Sequence, residues 1–111
     1  MTDARATPAS RRPARHEQPA IDELALAAAR WADQVLAALR ERGSTRWIAY
    51  FEPIPDRLRD DETGALRATA IRCREAYGVK DSIRDVAPWG VTEPFLDSID
   101  RLLREINRSR G

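Results

Sequence analysis

The sequence predicts an all-α fold, organised as a small irregular helical bundle. Three observations favour this class: apolar residues recur every three or four positions in three long segments, no stretch alternates apolar and polar residues as a strand does, and prolines and glycines fall between the periodic segments. We expect three longer helices, at about residues 21–42, 61–77 and 92–108, and two short helices between them. Because 111 residues leave room for one core, residues 21–111 should form a single domain.

Residues 1–20 are expected to form a disordered basic tail. This stretch has three prolines and four arginines but no apolar periodicity with which to stabilise a packed conformation. Its cluster from Arg11 to Arg15 could contact phosphates or an acidic partner, although the same composition is common in a solvated leader. The rest of the chain carries 15 basic and 16 acidic side chains, a balance that does not favour a dedicated nucleic-acid-binding domain.

The first long helix should begin after Pro19 and end at Gly43, which reaches the left-handed conformation without a steric penalty. A large aromatic residue at helical spacing is usually buried, so we expect Trp31 in the core. The apolar positions of this helix share one face, which consists of Leu24, Ala28, Trp31, Val35 and Ala38.

The next segment should begin a short helix at Ser44 or Thr45, either of which can cap it. Pro53 and Pro55 should end it, and because each proline disfavours a helical conformation in the residue before it, we expect Glu52–Pro55 to be extended. One helical face cannot bury all the large apolar residues here, so at least one should lie on the surface or in an interface, where it could join two copies in a homodimer. These residues are Trp47, Ile48, Tyr50 and Phe51.

The third helix should begin at the acidic run Asp60–Glu62, which suits the positive end of the helix dipole, and should end at Gly78 in a left-handed conformation. Cys73 is the only cysteine of the sequence, so we expect a reduced, buried thiol rather than a disulfide. Together with the lack of a secretory signal, this favours a cytoplasmic protein, and 18 arginines against one lysine favour a bacterial source. The apolar face of this helix consists of Leu66, Ala70, Cys73 and Tyr77.

The segment that follows mixes a turn glycine with charged and apolar residues. Asp81 or Ser82 should cap a short helix that ends near Val86, with Arg84 and Asp85 turned outward. This helix should give way to a turn, which is the part of the chain least explained by packing alone.

Trp89 lies in that predicted turn, Pro88–Gly90, where an aromatic residue is either a lid over the core or an exposed contact residue. Beyond it, Thr92 should cap the last helix, and Pro94 is tolerated in the first turn. The apolar face of that helix consists of Phe95, Ile99, Leu102, Leu103 and Ile106.

The sequence contains no catalytic, cofactor-binding or metal-binding signature. Its only histidine, His16, falls in the predicted tail, and Gly78–Ser82 lacks the consecutive glycine, lysine and hydroxyl residue of a phosphate-binding loop. Asp81 and Asp85 would share a helix face beside Arg84, but a cap and a solvated charge explain them more simply than acid–base catalysis does. No run of about 18 apolar residues predicts a membrane span. We therefore predict a protein that is not an enzyme, binds no cofactor or metal, and does not associate with a membrane.

The segment Tyr77–Val86 resembles a loop in a family of small bacterial helical domains of unknown function, in which the loop reads aromatic, Gly-Gly-Met-Gly-Ser, apolar, Asn-Asp, apolar. The likeness covers about residues 35–107. It implies a helical domain that binds another protein, such as a toxin that it neutralises. The matching positions in this loop are Tyr77, Gly78, Ser82, Ile83 and Asp85, while two family glycines and the asparagine are replaced by Val79, Asp81 and Arg84.

These observations predict a protein–protein interaction module with a regulatory or toxin-neutralising role and an unidentified protein partner. Turn residues and an aromatic residue between otherwise structural helices indicate where the partner binds. The alternative is a nucleic-acid-binding accessory protein that uses the basic tail together with Arg101, Arg104 and Arg108, although neighbouring acids would repel phosphates. The residues that we select for partner binding are Lys80, Asp81, Arg84, Asp85 and Trp89.

Overall fold

The structure is a computed structural model that describes residues 14–110. No strand occurs in this range, so the predicted all-α class is confirmed for it. Single 3₁₀ turns cover Arg15–Glu17 and Ile83–Asp85. The five α-helices are α1 (Pro19–Arg42), α2 (Thr45–Phe51), α3 (Ile54–Asp60), α4 (Thr63–Glu75) and α5 (Trp89–Arg110).

Helix α1 lies at the centre of the packing, where it contacts α5, α3 and α2. Much of its buried surface is alanine, and such small side chains allow neighbouring helices to approach closely. Trp31, which the sequence places in the core, is half-buried and packs against the edge of the core. Gly43 ends the helix with φ 67°, as predicted, because a glycine has no Cβ to oppose the left-handed conformation. The fully buried alanines of α1 are Ala25, Ala28, Ala29 and Ala32.

The expected extended segment at Glu52–Pro55 is wrong. Glu52 and Pro53 both have helical backbone angles, and α3 begins at Ile54 with Pro55 in its first turn. A proline is tolerated there because the first amides of a helix have no intrahelical acceptor in any case. The prolines therefore separate two short helices rather than forming an extended crossing.

The four large apolar residues of α2 are more deeply buried than the sequence predicts. Trp47 and Phe51 belong to the core, and Ile48 and Tyr50 are half-buried against it. The rings of Phe51 and Phe95 meet edge to face at 5.7 Å, an arrangement that aromatic pairs favour. A homodimer formed through α2, which stays a prediction, would have neither the Trp47 nor the Phe51 ring exposed for contact.

The predicted tail boundary at residue 21 is wrong for residues 14–20. Here α1 already begins at Pro19, and Arg15 is only 4 % exposed. The Arg15 Nε atom pairs with Asp22 Oδ1 at 2.7 Å, and its Nη1 atom donates to the Asp61 carbonyl at 3.0 Å. Its backbone amide donates to Glu62 Oε1 at 2.7 Å. Arg15 therefore joins the start of α1 to the start of α4, while the rest of the predicted tail lies outside the described residues.

Replacing Arg15 with Ala should lower the free energy of unfolding by about 1–3 kcal/mol, because the half-buried Asp61 carbonyl and the Asp22 carboxylate lose a charged hydrogen-bond donor. His16 is exposed in the same 3₁₀ turn, so His16→Ala is the matched control and should leave stability nearly unchanged. Urea unfolding followed by circular dichroism measures both variants. Equal stability of Arg15→Ala and the wild type would contradict the anchoring role.

Candidate functional site

The connecting segment, Ala76–Pro88, joins α4 to α5 and contains four of the five predicted site residues. Gly78 does not adopt the left-handed conformation that the sequence predicts; Asp81 does, with φ 54°. The α4 helix instead ends through hydrogen bonds from the Ala76 and Tyr77 amides to carbonyls of its last turn, at 3.2 and 3.0 Å. Asp81 tolerates positive φ better than most residues, which moves the sharp turn three residues further along the chain.

Ser82 caps the short 3₁₀ turn that follows, in agreement with one of the two predicted caps. The Ser82 hydroxyl accepts a hydrogen bond from the Arg84 amide at 3.1 Å, and Asp85 Oδ2 accepts one from the Ser82 amide at 3.2 Å. The Ile83 amide donates to the Ala76 carbonyl at 2.8 Å, and the Ile83 side chain is fully buried. Asp85, predicted to face a partner, therefore serves first as a capping group, and the turn is shorter than the predicted helix to Val86.

Helix α5 begins three residues earlier than predicted. The Pro88 carbonyl accepts hydrogen bonds from the Val91 and Thr92 amides, at 3.1 and 3.0 Å, so Trp89 and Gly90 belong to the first helical turn and not to a loop. Thr92 is not a cap: its side chain is fully buried one turn into the helix. The sequence places Pro88 in a turn between two helices. In the structure, Pro88 directly precedes α5, and its carbonyl accepts the first hydrogen bonds of that helix.

Tyr77, Arg84 and Glu93 form a contact between the connecting segment and α5. The Tyr77 hydroxyl donates to the Thr92 carbonyl at 2.5 Å, and Arg84 donates from Nε and Nη2 to the two carboxylate oxygens of Glu93, both at 2.9 Å. The Arg84 guanidinium also lies 5.1 Å from the centre of the Tyr77 ring. A two-point arginine–carboxylate contact is directional, so it fixes the segment against the helix.

The ionisation of these groups reflects their contacts. Burial raises the pKa of the Tyr77 phenol, and the hydrogen bond from Arg84 lowers the pKa of Glu93. Neither Tyr77 nor Glu93 was selected from the sequence as a site residue. The sequence indicates Tyr77 only as part of the apolar face of the third helix and as a matching position of the loop resemblance, and no sequence signal connects Arg84 with an acid nine positions away.

Trp89 is the most prominent exposed apolar side chain near this contact. It is 69 % exposed, so of the two roles left open by the sequence it is not a lid over the core. Val79 is fully exposed in the connecting segment, and Lys80 and Asp81 beside it are exposed as well. Among residues 14–110, the large exposed apolar residues are Ile71, Val79 and Trp89.

Most of the arginines that the nucleic-acid alternative selects from the described residues are paired with acids or buried. Arg101 pairs with Asp97 at 2.9 Å, and Arg108 pairs with Glu105 one helical turn away. Arg15, from the basic cluster of the predicted tail, is buried. Of the three arginines selected on α5, this leaves Arg104 outside these ion pairs.

Other chemical features of the described residues are few. Between residues 14 and 110, no three metal-ligating side chains come together in one place. Burial raises the pKa of the Cys73 thiol to about 12, which leaves little thiolate at neutral pH. Neither α1 nor α5, the longest helices in this range, has the apolar length that a bilayer crossing requires.

Comparison with known proteins adds no relative: no family model, curated protein or solved structure matches the chain. The resemblance of the Tyr77–Val86 loop to a family of small helical domains therefore stays a prediction.

Replacing Tyr77 with Phe should lower the free energy of unfolding by about 1 kcal/mol at neutral pH, because the hydrogen bond to Thr92 is lost while the ring remains. In the folded protein, burial raises the pKa of the Tyr77 phenol above its ordinary value of 10.0. At pH values just above 10, the folded protein therefore keeps the phenol proton, whereas the unfolded chain releases it. Wild-type stability should therefore fall as the pH rises above about 10, and Tyr77→Phe should fall less steeply. Urea unfolding between neutral pH and the onset of alkaline denaturation measures both, and parallel curves would contradict the assignment.

Proposed function

We propose that the chain is a non-enzymatic protein-binding module whose contact surface comprises Trp89 and the exposed part of the connecting segment. The observation that carries this proposal is the exposure of Trp89 on the first turn of a helix whose start is fixed by hydrogen bonds. Tryptophan is enriched among the residues that contribute most to binding at protein interfaces. An exposed tryptophan on a structured element is a feature that packing of the domain itself does not require.

The fixed backbone around Trp89 supports this function energetically. A partner that binds a mobile loop must order it, which costs binding free energy for each side chain that is immobilised. Here the Tyr77–Thr92 and Arg84–Glu93 contacts already hold the connecting segment against α5. Most of that ordering is therefore complete before a partner arrives.

The charged residues selected from the sequence divide into two roles in this proposal. Lys80 and Asp81 are exposed and can contact a partner directly, where charge complementarity governs association rate and specificity. Arg84 and Asp85 hold the surface in shape through Glu93 and Ser82. A regulatory or toxin-neutralising role fits a small module of this kind, and it rests on the loop resemblance.

The test is Trp89→Ala, measured against a partner that has been identified by co-purification and then purified. We expect the affinity to fall by about thirtyfold, which corresponds to the roughly 2 kcal/mol typical of a central interface tryptophan. The circular dichroism spectrum should not change, because the ring is mostly outside the core.

Ile71→Ala provides the matched control, since Ile71 is 36 % exposed on α4, outside the proposed surface. It should leave the affinity within about twofold of the wild type. Equal affinity of Trp89→Ala and the wild type, with the fold intact, would contradict the proposal.

A further inference from the structure

A second surface feature lies between the start of α4 and the end of α5, on residues that the protein-binding proposal does not use. A cavity of about 470 Å³ opens there, within the size range of small-molecule sites. No acidic residue is among those that line it, although acids make up 18 of the 111 residues. The lining residues are Gln18, Thr63, Gly64, Arg67, Ile106, Ser109 and Arg110.

The polar groups of this cavity are mostly hydrogen-bond donors. Arg67 donates from Nε to Asn107 Oδ1 at 3.2 Å, which leaves its two terminal nitrogens for other acceptors. Neither Arg67 nor Arg110 forms an ion pair with an acidic side chain of residues 14–110. The Thr63 hydroxyl donates to Gln18 Oε1 at 2.6 Å, so the Gln18 amide nitrogen remains as a further donor. Two arginines thus line one concavity, and no acidic residue is among its lining residues.

Two acidic residues close in sequence to the lining residues, Glu62 and Asp22, contact Arg15. The Glu62 carboxylate accepts the Arg15 amide at 2.7 Å, and Asp22 pairs with the Arg15 guanidinium at 2.7 Å. Their contact with Arg15 reduces the repulsion that an anion in the cavity would experience. Ile106, only 1 % exposed, is the apolar residue of the lining.

We propose that this cavity binds a small phosphorylated molecule, with Arg67 and Arg110 as the residues that hold the phosphate group. Guanidinium groups bind phosphate and carboxylate oxygens in a two-point geometry. Two guanidinium groups, together with the amide of Gln18 and the hydroxyl of Ser109, offer more donors than the two oxygens of one carboxylate can accept. A phosphate group has three terminal oxygens and nearly two negative charges at neutral pH, which matches this donor set better.

The experiment titrates inorganic phosphate into the full chain at constant ionic strength, balanced with chloride, and follows backbone amide signals by NMR. We expect saturable shifts at Thr63, Gly64 and Ser109 with a Kd of about 1 mM or tighter. Arg67→Gln and Arg110→Gln should each raise the Kd about tenfold, because each removes charge-assisted hydrogen bonds. Circular dichroism confirms that each variant is folded, and Arg110→Gln alters an exposed residue, so it keeps the test open if Arg67→Gln unfolds.

Arg104→Gln is the matched control, since Arg104 is exposed on the same helix and does not line the cavity. It should bind phosphate with the wild-type Kd. Wild-type affinity in Arg110→Gln, or no shift at the three amides, would overturn the site. Succinate binding as tight as phosphate binding would overturn the phosphate assignment in favour of a carboxylate ligand. Because Trp89 is not part of the cavity, Trp89→Ala should keep the wild-type phosphate affinity, so this proposal and the protein-binding proposal can fail independently.

Discussion

Close packing around α1 is the constraint on which the rest of the structure depends. The buried face of this helix is rich in alanine, so its neighbours can approach until backbone and Cβ atoms are nearly in contact. Helices α5, α3 and α2 all lie against α1, and larger residues such as Phe51, Phe95 and Ile99 fill the space between them. With α5 held by α1, and α4 held by α5, the position of the connecting segment follows.

That arrangement gives the connecting segment little freedom. Its length must close the distance from the end of α4 to the start of α5, while Ile83 is buried in the core. The hydrogen bonds of Tyr77, Ser82 and Arg84 then satisfy polar groups that the turn would otherwise leave unpaired. Exposed apolar side chains on such a segment increase the solvated apolar surface without stabilising the fold. In the protein-binding proposal, these side chains form the contact surface.

Periodicity in the sequence was sufficient to predict the all-α class, because apolar residues recur in step with the helical turn. The errors lie where one local signal competes with another. Prolines commonly end helices, so the sequence predicts an extended segment at Pro53 and Pro55. A proline also suits the first turn of a helix, and Pro55 occupies that position in α3. Glycine adopts the left-handed conformation more readily than other residues, so the sequence predicts that turn at Gly78. In the structure, the contacts of the whole segment place the turn at Asp81.

The candidate site was also predictable only in part, because some of its features depend on local sequence and others on contacts between distant residues. Trp89 stood out because an aromatic residue beside turn residues has few purely structural explanations, and it is exposed. The pairing of Arg84 with Glu93 and the burial of Arg15 depend on contacts between distant parts of the chain, which composition does not reveal. Arg15 in particular has the local sequence of a disordered basic tail, so only its fit between α1 and α4 identifies it as structural.

The titratable groups with shifted pKa values lie outside the cavity between α4 and α5. A catalytic group needs a pKa matched to its task and a position beside a cavity. Among the described residues, the groups with shifted pKa values include Tyr77, Cys73 and Glu93, and the causes are burial or a contact within the fold. None of the three lines the cavity beside Arg67 and Arg110. The groups with altered acidity are therefore buried or engaged in contacts within the fold, away from the residues that line the cavity.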